Sequence, residues 1–169
     1  MKLAGIDGVV IDWYGTSTLH DYETIHRNTA HLIKYVKKAG LQFAICYEDR
    51  TVTHVAQERG IARQEAYWLA ARDMEWLEGV WFGDAAYVRI DGRPILPVFG
   101  PIYFETASEW EQILGGLSTR PLLYVLPHLV ESTRADGVFG WPPVDGGRSI
   151  RPERWIEYLT NLYAMGGDS

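Results

Sequence analysis

Runs of consecutive apolar residues in this chain end in carboxylates or turn residues, and between those runs apolar positions recur every three or four residues. Val9-Val10-Ile11 is β-branched throughout, which suits a strand covered on both faces, and Asp12, Trp13 and Tyr14 stand where that strand runs out. Ile25, Thr29, Leu32, Ile33, Val36 and Ala39 predict an amphipathic helix stopped by Gly40. Leu41 to Tyr47 is a second apolar strand, again ending in acids, Glu48 and Asp49. Helical spacing returns at Val52, Val55 and Ala56 up to Gly60, then at Ala66, Leu69, Ala70, Met74 and Leu77, a short helix and a longer one packed outside the sheet. Ala86–Ile90 and Arg93–Phe99 are extended runs joined by Asp91-Gly92, a type I′ hairpin signal, with Pro94 marking a strand start and Pro97 a bulge or unpaired side. Thr106 with Glu109 fits a capping box opening a helix through Leu114 that stops at Gly115-Gly116. Leu122–Leu126 and Gly137–Trp141 are the remaining strands, and Pro152 suits the first turn of a last helix bearing Trp155, Ile156, Leu159 and Leu162.

Alternation of this kind predicts an α/β fold of parallel βαβ units. No linker, repeat or low-complexity tract interrupts residues 1–169, so one domain is expected, with 144–149 and 165–169 as its mobile stretches. A length of 169 residues can bury a sizeable core but is short of the roughly 250 usual for a closed (β/α)8 barrel.

Charge and composition then narrow the partners. The net charge is -6, with Lys and Arg scattered, which argues against nucleic acid. Cys46 is the single cysteine and sits in a strand, so an intrachain disulfide and a cysteine-type zinc site are both excluded. No stretch is apolar enough for a signal peptide or a membrane span, and the chain as written is expected to be soluble and cytoplasmic. Seven Trp and ten Tyr exceed what such a core requires, which places some of them along a surface groove.

Ligands of parallel α/β folds bind at the carboxyl ends of strands, and acids beside flat aromatic faces are the chemistry a sugar needs. The candidate acids are Asp12, Glu48 and Asp49, with Glu105 past the strand of Val98 and Phe99. The candidate rings are Trp13, Tyr14, Tyr47, Tyr103, Phe104 and Trp141, and His128 follows another strand end. Strands about 4.8 Å apart bring Asp12 and Glu48 or Asp49 within the separations that glycosidic cleavage requires, about 5 Å for retention and up to ~9 Å for inversion. Other readings stand beside this one. Asp12 is also suited to capping the next segment, Glu48 and Asp49 to holding sugar hydroxyls or pairing with Arg50, and His128 to a structural hydrogen bond. His20, His26, His31 and His54 lack the paired spacing of a metal site, and no cofactor motif is present. The adjacent acids Glu48 and Asp49 are weak grounds for an oxygen-rich metal site.

GIDGVVIDWYG at 5–15, FAICYEDRT at 43–51, AYVRIDGRPILPVFGP at 86–101 and GVFGWPP at 137–143 together resemble successive strand segments of the glycoside hydrolase family 99 and 71-like barrel proteins. The resemblance spans about residues 3 to 145 and lies in the combination. It implies a (β/α)8 TIM-barrel lineage acting on α-linked polysaccharides such as mannan or glucan, here as an incomplete barrel of about five units that lacks the first strand. The family's catalytic motif, Asn-Glu-Trp-x-Glu, has no counterpart after Trp141; Ser108-Glu109-Trp110-Glu111 is only superficially like it and lies in a helix. Two functions follow as expectations: hydrolysis at the strand ends through Asp12, Glu48 and Asp49, or carbohydrate binding by a non-catalytic or truncated barrel. Strand edges left open would also favour self-association.

Overall fold

The computed structural model describes residues 2–145 and 148–166, and its organising feature is a curled half-barrel of parallel strands. β1 (Gly8–Trp13) and β2 (Gln42–Tyr47) run in parallel from Gly8 opposite Gln42 to Trp13 opposite Tyr47. α1 (Tyr22–Lys38) connects them, and Gly40, at φ +68°, makes the left-handed turn into β2. α2 (Arg50–Arg59) and α3 (Arg63–Leu77) follow, the second continuing into a π-helical turn over Glu78–Phe82.

β3 (Arg89–Ile90) and β4 (Arg93–Pro97) form the hairpin expected at Asp91-Gly92, where both residues have positive φ as a type I′ turn demands. β4 then pairs in parallel with β5 (Leu122–Val125), and β5 with β6 (Gly137–Val138). Parallel bridges from Phe43 to Tyr87 and from Tyr47 to Val98 join this sheet to β2, giving the spatial order β1-β2-β4-β5-β6. α4 (Ala107–Leu114) supplies the crossover between β4 and β5. A one-turn α5 (Val130–Thr133) follows the 3₁₀ turn of Pro127–Leu129. Beyond β6, β7 (Val144–Asp145) pairs antiparallel with β8 (Arg148–Ser149), and Pro152 opens a 3₁₀ turn leading into α6 (Trp155–Gly166).

The fold is therefore mixed α/β with small sheets, two of which contain an antiparallel pair: β3 with β4, as the Asp91-Gly92 signal predicts, and β7 with β8, which the expectation of a parallel sheet does not include. Several strands are shorter than the apolar runs that announce them, β3, β4 and β6 most of all. Ladder pairing in the last parallel strand covers only Gly137 and Val138, and Phe139 makes a single further backbone bond to Val125. Of the stretches expected to be mobile, residues 146–147 and 167–169 lie outside the described residues.

Register fixes which side of the sheet each residue occupies. Trp13, Tyr47 and Val98 are laterally aligned and all fully buried. Trp13 meets His26 of α1 and Trp76 of α3, while Tyr47 donates to Asp73 of α3 at 2.8 Å, so this is the face the helices cover. With Ile11, Phe43, Ile45, Leu96, Leu123 and Val125 it forms the core, each large side chain stabilising by about 2–3 kcal/mol. Alternate residues must point the other way. Val10, Asp12, Cys46 and Glu48 thus line the concave face, where Val10 keeps 58% of its surface exposed.

Candidate functional site

The concave face gathers two of the three candidate acids. Asp12 is in register with Cys46, and Glu48 lies two residues further along β2, so the two carboxylates are diagonal neighbours on one side of adjacent strands. Glu48 N–H donates to the Trp13 carbonyl at 3.0 Å, which carries the pairing past the ladder and fixes where its side chain emerges.

Their environment is poor in donors. Asp12 Oδ1 is buried without a hydrogen-bond partner among the described residues, and no protein group donates to the Glu48 carboxylate there. Burial, the negative charge of Asp12 and that of Asp49 together push Glu48 up to about 7, with Arg50 opposing. Asp12 is raised by burial, against the lowering effect of Tyr14 and the Trp13 backbone. Tyr14 is pushed up to about 12 by burial, then by Asp12 and Glu48, so it is a neutral hydroxyl donor beside the pair. Cys46 lies between them, its thiol held protonated by burial and the same two charges.

Asp49, one residue on, faces elsewhere and has a different task. It is fully buried, and its two oxygens accept the backbone N–H groups of Ile102, Tyr103 and Phe104 at 2.9, 2.8 and 2.8 Å. Its carboxylate thereby ties the loop after β4 to the start of α2. With both oxygens occupied by the backbone, Asp49 is a loop anchor rather than part of the concave pair.

The candidate rings divide the same way. Trp13 is sealed on the helical face, its indole N–H donating to His26 Nδ1 at 3.1 Å, and Tyr47 is equally enclosed. Phe104 is fully buried against Tyr67, Tyr103 and Trp110. Tyr103 has the Arg63 guanidinium 4.0 Å above its ring, and that guanidinium also pairs with Glu109. Trp13, Tyr47 and Phe104 present no open face to a sugar, because alternation along the strand or the covering loop turns them inward, whereas Tyr103 stays half-buried beneath Arg63. Tyr14 is half-buried and stacks on Tyr22, with ring centroids 5.6 Å apart. Trp141 keeps 37% of its surface exposed and meets Phe99 at 4.4 Å. Phe99 alternates with Val98, so it extends the concave side, and Trp141 joins it there. Glu105 and His128 are exposed on loops after β4 and β5.

The residues that complete the acid site come from segments read only as loop and helix. Tyr22, at the first turn of α1, bonds His54 of α2 through its hydroxyl at 2.6 Å, and His20 lies edge-on to it. Tyr14, Tyr22, His20 and His54 thus make one aromatic cluster that borders Glu48 and Arg50. Asp73 of α3 holds the loop that carries Tyr14, accepting from the Thr16 N–H at 2.8 Å and the Thr16 hydroxyl at 2.7 Å. The signal for this cluster in the sequence was only a high density of His and Tyr, since a helix positions them and no strand-end pattern marks them.

Ser108-Glu109-Trp110-Glu111 behaves as a helix start. Glu109 accepts from the Thr106 N–H and hydroxyl at 3.0 and 2.8 Å, and Glu111 pairs with Arg120. Among the described residues, no three His, Cys, Asp or Glu side chains gather as metal ligands, and no helix is long and apolar enough to cross a membrane. No family model matches this chain, and neither a curated protein nor a solved structure is detectably similar to it.

Proposed function

We propose that the concave face binds a saccharide, and that the chain is a five-strand part of a (β/α) barrel of the glycoside hydrolase 99/71-like type, with Asp12 and Glu48 as the acid–base pair. The observation that carries this reading is the donor-poor carboxylate pair at the carboxyl ends of β1 and β2, one member of which holds its proton to about pH 7. Burial raises both carboxyl groups, and a carboxylic acid that keeps its proton near neutral pH is what the general-acid step of glycosidic cleavage needs. Protonated Glu48 would give its proton to the leaving glycosidic oxygen as the anomeric C–O bond breaks. Ionised Asp12 would face the positive charge developing on the sugar ring, and water would supply the hydroxyl that replaces the leaving group, its proton restoring Glu48. Tyr14, Phe99 and Trp141 offer ring faces on the same side of the sheet.

A non-catalytic carbohydrate-binding protein is the second reading, in which Asp12 and Glu48 accept hydrogen bonds from sugar hydroxyls beside the ring faces of Phe99 and Trp141. Incubation with α-mannan and α-glucan, following both binding and new reducing ends, decides between them. Cleavage abolished by Glu48→Gln supports the acid–base role. Binding without cleavage supports the second reading, and absence of binding to any glycan overturns both.

A further inference from the structure

A second hollow lies in the layer of helices and adjoins the acid pair through Thr51, whose hydroxyl donates to the Glu48 carbonyl at 2.9 Å. The loop after β1, α2 and α3 enclose a cavity of about 230 Å³ lined by Ser17, Thr18, Val55, Arg59, Leu69 and Arg72 among others. Arg59, Leu69 and Arg72 also line a neighbouring cavity of about 270 Å³, together with Ile61, Glu65 and Trp68. The two hollows thus share one wall and form a groove with a hydroxyl-rich half, an apolar half and two arginines between them.

The charges in this groove are unevenly committed. Neither Arg59 nor Arg72 forms a salt bridge with a carboxylate among the described residues. The carboxylates nearby are engaged by the protein itself: Asp73 by Thr16 and Tyr47, and Glu65 by the Ala62 N–H at 3.0 Å. Both guanidinium groups therefore keep hydrogen-bond donors that no carboxylate claims, while Arg72 is drawn electrostatically to Asp73, and Asp73 and Glu65 also line the groove. Trp68 stands in the apolar half with 61% of its surface exposed, a ring with no aromatic partner among the described residues. A planar donor pair suits a carboxylate, sulfate or phosphate bidentately, and an exposed indole suits the flat face of a ring.

We infer that this groove binds an acidic saccharide, the anionic substituent held by Arg59 and Arg72 and the sugar ring laid on Trp68, with Ser17 and Thr18 available to its hydroxyls. The choice of a sugar as the ring rests on the reading of the concave face, whereas the demand for an anion rests on the arginines alone. The site would favour substrates carrying uronate or ester-acid groups.

The test is calorimetric titration of the intact chain with oligogalacturonate and with a neutral malto-oligosaccharide of equal length. Binding of the acidic glycan is expected to exceed that of the neutral one and to weaken several-fold between low and high salt. The double variant Arg59→Gln/Arg72→Gln is expected to lose roughly tenfold or more in affinity, as is Trp68→Ala. All three groove positions are exposed, and unchanged circular dichroism checks that the variants fold. Equal affinity for both glycans, or retention of binding in the double variant, overturns the proposal. Tighter binding of ATP or inorganic phosphate than of the glycan overturns the saccharide part. Loss of acidic-glycan binding in Glu48→Gln with retention in the arginine variant would move the ligand to the concave face, a failure of this inference and not of the earlier one.

Discussion

Glu48→Gln should make the protein more stable at alkaline pH, because it removes a negative charge that folding must place in a donor-poor site. The native carboxyl sits at about 7 against an ordinary value of 4.5, burial being the largest cause and the neighbouring Asp12 and Asp49 adding to it. Between those two values the native chain binds more protons than the unfolded one, so stability falls as pH rises from about 4.5 and the loss is complete above about 7. At about 1.4 kcal/mol per unit the full cost is roughly 3 kcal/mol, and access of water to the open concave face reduces it to about 1–2. Glutamine keeps the shape and volume without the charge. Urea unfolding of the wild type and the variant at pH 5 and pH 8 gives the difference directly, and groups common to both cancel. The variant's advantage should grow by about 1–2 kcal/mol between the two pH values. Asp12→Asn should recover part of the same gain by removing one source of repulsion. An advantage that is flat with pH, or a variant less stable at pH 8, would refute the assignment of Glu48 as the strained carboxyl.

Other substitutions probe the elements that hold the pair in place. Asp49→Ala strips the acceptor from three backbone N–H groups and should cost about 3–5 kcal/mol in urea unfolding. Gly15→Ala places a methyl group against the Asp73 carboxylate at a backbone φ of +80°, and a loss of at least about 2 kcal/mol is expected in the same assay. Gly137→Ala drives a methyl group into the Tyr124 ring; a double-mutant cycle with Tyr124→Ala should recover most of its cost, with a coupling of about 1–3 kcal/mol.

Most of the skeleton was legible because its signals are local. The Asp91-Gly92 turn, the Thr106–Glu109 cap, the Gly40 stop and the acids closing β1 and β2 each depend on a few adjacent residues, and each lies where the pattern put it. What the pattern withheld was the side of the sheet. In β2 every residue from Phe43 to Tyr47 is apolar and fully buried, so alternation carries no hydrophobic contrast, and only the pairing of Trp13 with Tyr47 shows that these rings belong to the helical face. Phe104 faces inward for a related reason: a loop residue next to a strand end is turned into the core when the Asp49 carboxylate captures its N–H. The sequence offers His20 and His54 only a metal-site reading and gives Tyr22 none, because the loop before α1, α1 itself and α2 bring the three to the strand end, a long-range placement that no run of residues records.

The contrast between adjacent acids is the strongest argument for a site on the concave face. Glu48 and Asp49 are consecutive and both largely removed from water, yet Asp49 is given three N–H donors and Glu48 none. Asp73, buried on the helical side, likewise has three, from the Thr16 N–H, the Thr16 hydroxyl and Tyr47. The chain therefore satisfies buried carboxylates wherever they act as ties. Glu48 departs from that practice altogether and Asp12 in part, its Oδ1 left without a partner while Tyr14 and the Trp13 N–H serve the rest of the carboxylate, on one face, at neighbouring strand ends, where their mutual repulsion adds to the cost of burial. A tie would be improved by relieving that cost, and a single change to Asn or Gln would relieve it. Two such groups held side by side make sense where an exchangeable proton is required, and a ligand offering hydroxyls would complete the hydrogen bonds the protein leaves open.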